Sequence, residues 1–391
     1  MSDGYLPYGR QSIDQDDIDA VTRALQSDYL TTGPEISAFE AEFAQTVASP
    51  NGVACNSATA ALHMAYDGLG LRPGDAVIVP AVTFLATANA ARFCGADVVF
   101  CDVDPETGLM TPDTLREALA RAQDRVRLVA PVHLGGVMCA MEDIAGLARP
   151  LGLAIVEDSC HALASLDEAG QPAGACPNSD AATFSFHPVK TLACGEGGMV
   201  TTRDAALAER MRLTRSHGMV RDGARLERAA GAQEPWWYEM QALGWNYRMP
   251  DINAALGRSQ LTKLSRFAQR RRDLSSRYDA LLTPLSPHVQ PPAGRPGIDA
   301  CRHLYNVRID FEALDVTRTE LMRALSQQGV GTQVHYIPVS DQPYYKALYG
   351  EQRFEGADRY YARTLSLPLY PAMDDGDPER VVTALKAVLG L

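Results

Sequence analysis

Between residues 50 and 205, short apolar runs rich in β-branched residues alternate with longer stretches of helical periodicity. The runs are VACNS, DAVIVP, ADVVFCDVD, VRLVAPVHL, LAIVED, AATFSFH and GMVTT. Strands that alternate with helices at this spacing predict a largely parallel sheet in an α/β fold. Upstream, Ile18, Val21 and Leu25 recur on one face of an N-terminal helix that Asp14 can cap, and this helix leads into the loop SDYLTTGP. From Leu256 the pattern changes to one long charged helix, LGRSQLTKLSRFAQRRRDLSSRYDALL, and then to a Pro/Gly-rich stretch from Pro284 to Gly297. Strand-like HLYNVRID, a helix near TRTELMRALSQQG and a last helix near PERVVTALKAVL follow. The predicted division is a large domain over 1–255 and a smaller C-terminal α+β domain over 256–391.

The length of 391 residues suits two packed domains. No segment approaches the ~18 consecutive apolar residues of a membrane helix. The polar, acidic start MSDGYLPYGRQSIDQDD lacks the basic and apolar regions of a signal peptide, so a cytoplasmic location is expected. A formal net charge of −12, with no basic cluster stronger than Arg270-Arg271-Arg272, weighs against a nucleic-acid partner. Eight scattered cysteines form no CxxC pair and no zinc spacing, which predicts reduced thiols and no metal site. Cys160 and Cys194 read as small packing residues.

Three segments carry candidate chemistry. In VACNSATAALHMA a strand passes straight into a helix at Asn56, Ser57, Ala58 and Thr59, where free N–H groups and the helix dipole favour a phosphate. Ser and Thr caps also begin helices that bind nothing. The run LAIVEDSCHA stays apolar until Glu157 and Asp158, at the carboxyl end of a predicted strand, where open α/β sheets bind ligands. A carboxylate there can hold a pyridine nitrogen protonated, or simply cap a helix. In FSFHPVKTLACGEGGMV a lone Lys190 precedes Gly195, Gly197 and Gly198, which let backbone approach a cofactor closely. A lysine with a lowered pKa can bind a carbonyl covalently and shuttle protons, although spacing alone favours a surface lysine, so the case rests on how the segments combine.

Together, NSATAALH, the acid of VEDSCHA, FSFHPVK followed by GEGG, GWNYRMPDINAALGRSQL and VHYIPV resemble the sugar-nucleotide aminotransferases of the DegT/DnrJ/EryC1/StrS family. The likeness runs from about Pro7 to the C-terminus. It implies the pyridoxal-phosphate (PLP) dependent aspartate-aminotransferase fold (fold type I). By position it assigns Lys190 to the covalent link with PLP and Asp158 to the pyridine nitrogen, with His161 close to the ring. It also assigns Ser57, Ala58, Thr59 and Ser185 to the phosphate, Phe84 to stacking on the ring face, and Asn246 to the phosphate of a neighbouring subunit. A homodimer with shared active sites follows from that last assignment.

Within the family, PYGRQSIDQDDIDAV, SDYLTTGP, FSFHPVK and RSHGM resemble the pseudaminic-acid branch. That likeness implies amino transfer from L-glutamate to C4 of a UDP-linked 4-keto-6-deoxy-N-acetyl-hexosamine. Tyr8, the loop Asp28, Tyr29, Leu30 and Thr31, and the segment His335, Tyr336, Ile337 and Pro338 would line the sugar-nucleotide side of the cleft. Branches acting on other keto-sugars, such as GDP-4-keto-6-deoxymannose, share the same cofactor motifs. Relatives that replace the lysine by histidine remove a sugar hydroxyl instead, which Lys190 disfavours. A non-catalytic regulator on this fold is disfavoured because the expected catalytic positions are filled.

Overall fold

The computed structural model describes residues 4–122, 125–228 and 234–391. All seven predicted runs form strands of one sheet: β1 (Asn51–Cys55), β2 (Ala76–Pro80), β3 (Asp97–Cys101), β4 (Val126–Val129), β5 (Ala154–Asp158), β6 (Ala181–Ser185) and β7 (Gly198–Thr202). Their order is β1-β7-β6-β5-β4-β2-β3. Strand β7 runs antiparallel to both neighbours, and the remaining pairs are parallel. Several strands are shorter than their apolar runs. In VRLVAPVHL the ladder stops before Pro131, which has no N–H to donate.

Around this sheet lie α1 (Gln15–Leu25), α2 (Pro34–Thr46), α3 (Ala58–Gly68), α4 (Leu85–Phe93), α5 (Pro112–Ala122), α6 (Met141–Ala148) and α7 (Ala205–Arg215). A hairpin of β8 (Met219–Val220) and β9 (Glu239–Met240) precedes α8 (Asp251–Leu261) and α9 (Leu264–Leu282). A second, antiparallel sheet combines β10 (Val289–Gln290), β11 (Tyr305–Ile309) and β12 (Thr364–Leu367). It is accompanied by α10 (Arg318–Gln327), α11 (Pro343–Tyr349), α12 (Glu355–Arg363) and α13 (Asp377–Leu389). Its separate core joins Leu274 and Tyr278 to Val307, Leu325, Leu365 and Leu385.

Two expectations are corrected. The long charged helix is two helices, α8 and α9, broken at Thr262 and Lys263. The break lets α8 pack on α1 and α2 while α9 packs on α13. Position 255 therefore falls inside α8 rather than between elements. The buried face of α1 is also not the apolar one: Asp17, Ala20 and Ala24 face inward, whereas Ile18 and Leu25 are half exposed. Two alanines allow close approach to α8, and the buried Asp17 carboxylate accepts from Ser259 Oγ at 2.6 Å and Gln260 Nε2 at 2.7 Å and pairs with Lys263. A buried acid left without these partners would cost far more than two apolar side chains left in water. Asp14 occupies the N-cap position, but its carboxylate turns to Lys263 and Arg266.

Candidate active site

Parallel strands leave their carboxyl ends on one side of the sheet, and there a cavity of about 870 Å³ opens between the large sheet and the C-terminal layer. Strand β5 delivers Asp158 to its wall and β6 delivers Ser185, while the loop between β6 and β7 carries Lys190. Beyond β1, Ser57 caps α3 by accepting the Ala60 N–H at 3.2 Å. The N–H groups of Ala58 and Thr59 open this first helical turn, where no intrahelical acceptor exists for them. Gly198 makes the arrangement possible. A Cβ on it would overlap the Ser57 carbonyl and lie 2.8 Å from Ala58 N.

Asp158 is buried, with both carboxylate oxygens engaged. Thr87 Oγ1 donates to Oδ2 at 2.7 Å, and the Cys160 N–H donates to Oδ1 at 3.2 Å. Thr83 Oγ1 lies 2.9 Å from Thr87 Oγ1 and extends this network. These donors fix the orientation of the carboxylate on the cavity wall. Burial lowers the Lys190 ammonium, partly offset by Cys160 and Asp158, which favours a free amine able to attack a carbonyl. The cysteines are free, and burial pushes the Cys160 and Cys194 thiols well up, which leaves them inert.

Opposite Lys190, the C-terminal layer contributes His303, His335 and Tyr336, and the N-terminal strap contributes Tyr8. The strap is held there by Leu6 N–H to Gly329 O at 2.8 Å and Leu369 N–H to Tyr8 O at 3.1 Å. His161 Nδ1 accepts the Gly135 N–H at 3.3 Å, so its proton resides on Nε2 and is donated to Tyr336 Oη at 3.2 Å. Burial keeps His161 and His303 neutral and takes His335 down to about 3. Outside the cavity, burial takes His63 to about 4.

These neutral imidazoles predict acid sensitivity. Below about pH 6.5 histidines of the unfolded chain take up protons that the folded chain refuses. Their stabilising contribution is therefore present above that pH and is lost as the pH falls. Each group contributes a slope that grows from about 0.7 kcal/mol per pH unit at pH 6.5 to about 1.4 near pH 5. The urea midpoint is expected to drop over this window, and a flat profile from pH 6.5 to 5 would contradict the assignment.

Of the residues marked in the sequence, Tyr8, Ser57, Ala58, Thr59, Phe84, Asp158, His161, Ser185, Lys190, His335 and Tyr336 line this one cavity. Phe84 stands at its mouth, half exposed, 5.9 Å from the Tyr336 ring. Asn246, Asp28, Tyr29, Leu30, Thr31, Ile337 and Pro338 do not line the cavity of their own chain. Leu30 O instead accepts the Asp251 N–H at 3.0 Å, and Asn246 O accepts from Asn56 Nδ2 at 3.4 Å. The sequence motifs do not point to Thr87, His303 or Gln333. Thr87 has a signal, a hydroxyl at i and i+4 with Thr83 at a helix start, whereas His303 begins the strand-like run HLYNVRID and Gln333 carries no local signal.

A model of the DegT/DnrJ/EryC1/StrS aminotransferase family matches residues 11–386. The chain belongs to this family. The aminotransferase is 38% identical over 388 residues to the spore coat polysaccharide biosynthesis protein SpsC of Bacillus subtilis (strain 168), covering 98% of this chain and 97% of that protein. It superposes on Spr1654 of Streptococcus pneumoniae, described as a sugar aminotransferase and solved in PMP form, with a TM-score of 0.90 and 28% identity over 98% of this chain and 99% of that one. Helicobacter pylori PseC, an aminotransferase of pseudaminic-acid biosynthesis, gives 0.90 and 26% over 99% of each chain. The protein is a PLP-dependent sugar aminotransferase of fold type I. Its cavity fits that cofactor: a lysine amine, a buried carboxylate for a protonated ring nitrogen, and a helix N-terminus cleared by Gly198 for a phosphate.

Proposed function

We propose that this aminotransferase moves an amino group from L-glutamate to C4 of a UDP-linked 4-keto-6-deoxy-N-acetyl-hexosamine, the amination step of a pseudaminic-acid type pathway. The observation that carries the chemistry is the convergence of Lys190 and Asp158 on one cavity. When bound, PLP supplies an electron sink for the carbon that exchanges its proton. Lys190 holds the cofactor covalently, and its amine, once free, takes that proton and returns it. Asp158 keeps the ring nitrogen protonated, while Thr87 and the Cys160 N–H fix the carboxylate. Ser57, Ala58, Thr59 and Ser185 hold the phosphate, and Phe84 covers the ring face.

The substrate reading is supported by the N-terminal segments and by the likeness to PseC over 99% of each chain. The neutral polar wall of Tyr8, His303, His335 and Tyr336 suits an uncharged, hydroxylated sugar rather than a second carboxylate. The test is kcat/KM with L-glutamate for the UDP-4-keto sugar against GDP-4-keto-6-deoxymannose. A clear preference for the GDP sugar would overturn the substrate while leaving the reaction class intact.

The working unit in this reading is a homodimer. Asn246 reaches the site of the neighbouring subunit, which agrees with its lying outside its own chain's cavity. Mixing Lys190→Ala with Asn246→Ala subunits is expected to regenerate some sites with both residues intact. Subunit exchange without recovered activity would sink the shared site.

A further inference from the structure

The roof of the cavity carries a hydrogen-bond relay that reaches behind His335 into the C-terminal layer. Asn306 on β11 and Ser366 on β12 are direct cross-strand partners. Segment 333–335 is tied to the same place, because Gln333 N donates to Ser366 O at 3.2 Å and Ser366 N to Gln333 O at 2.7 Å. His335, Asn306, Ser366 and Tyr360 are all buried. Asn306 Nδ2 donates to Tyr360 Oη at 2.9 Å, which turns its Oδ1 toward Ser366. The Ser366 hydroxyl donates to that oxygen at 2.9 Å. A hydroxyl has one proton, so Ser366 Oγ, 2.7 Å from His335 Nδ1, must accept there. His335 then carries its proton on Nδ1, and Nε2 is left with a bare lone pair on the cavity side.

We propose that Ser366, through the relay Tyr360–Asn306–Ser366, is a positioning residue that holds His335 as an acceptor for a hydroxyl of the keto-sugar. This rests on the sugar-aminotransferase reading and deepens it. A bare nitrogen repels a carboxylate and accepts from a hydroxyl, so the contact serves the sugar and not glutamate. The neighbouring Tyr336 complements it. His161 Nε2–H already fills one lone pair of Tyr336 Oη, which leaves the phenol's own proton for a ligand. Side by side, residues 335 and 336 offer an acceptor and a donor, the pair that matches a hydroxyl, which is both.

The relay is tested directly by nitrogen NMR of histidine-labelled protein without substrate, the His335 signals being assigned by their loss in His335→Gln. A bare Nε2 in the wild type and its conversion in Ser366→Ala are expected; a protonated Nε2 in the wild type overturns the proposal. Ser366→Ala is also expected to raise KM for the keto-sugar about tenfold, the scale of one lost or misdirected hydrogen bond. The single-turnover reaction with L-glutamate should change less than twofold, and Ser366→Thr, which keeps the hydroxyl, should restore KM. An unchanged sugar KM in Ser366→Ala, or equal damage to the glutamate reaction, refutes it. Should Ser366→Ala fail to fold, His335→Gln, with an acceptor near the Nε2 position, must outperform His335→Asn on the sugar. The nitrogen shifts are read without substrate, so they stand apart from the sugar reading, whose failure would appear as no turnover of any keto-sugar by the wild type.

Discussion

Replacing Lys190 with alanine is expected to lower amino transfer by at least about a thousandfold, because the variant loses both the covalent hold on the cofactor and the group that moves the proton. The fold should survive. The lysine ion pairs among the described residues belong to Lys263 and Lys346, and burial already disfavours the Lys190 ammonium. Removing that ammonium deletes an unfavourable term, so the melting temperature without cofactor is expected to stay level or rise. Borohydride reduction followed by peptide mass mapping should find the modified lysine at position 190 in the wild type and none in the variant. A modified lysine elsewhere would refute the assignment.

Asp158→Asn is expected to have the second largest effect. Asparagine has nearly the shape of aspartate, and its amide oxygen can still accept the Cys160 N–H while Thr87 reorients toward the amide nitrogen. What disappears is the negative charge that would keep the ring nitrogen protonated. The loss of such a fixed charge costs on the order of a hundred- to a thousandfold in kcat. Steady-state formation of 2-oxoglutarate from L-glutamate is the measurement, with thermal melting as a control for folding. Activity within about tenfold of wild type would mean that Asp158 does not face the ring nitrogen.

The candidate site was legible where its chemistry is local. Asp158 ends an apolar strand run, Ser57 caps the helix that begins beside it, and Gly198 follows Lys190 by eight positions, so period, cap and glycine could each be read along the chain. Thr87, by contrast, meets Asp158 across 71 positions. His335, Ser366 and Asn306 come together only once β11 and β12 pair and the 333–335 segment docks beside them.

What the sequence determined by itself is the set of seven strands, the α/β class and the placement of an acid and a lysine near strand ends. Hydrophobic periodicity and capping act over a few residues, and burial of the sheet enforces them. Only the tertiary structure decided which face of α1 turns inward, where the charged helix breaks, and which nitrogen of His161 and of His335 carries the proton. Each of these depends on where distant polar groups find partners. Leaving a buried carboxylate or imidazole unpaired costs more than the local preference of an apolar stripe or a continuous helix can offset.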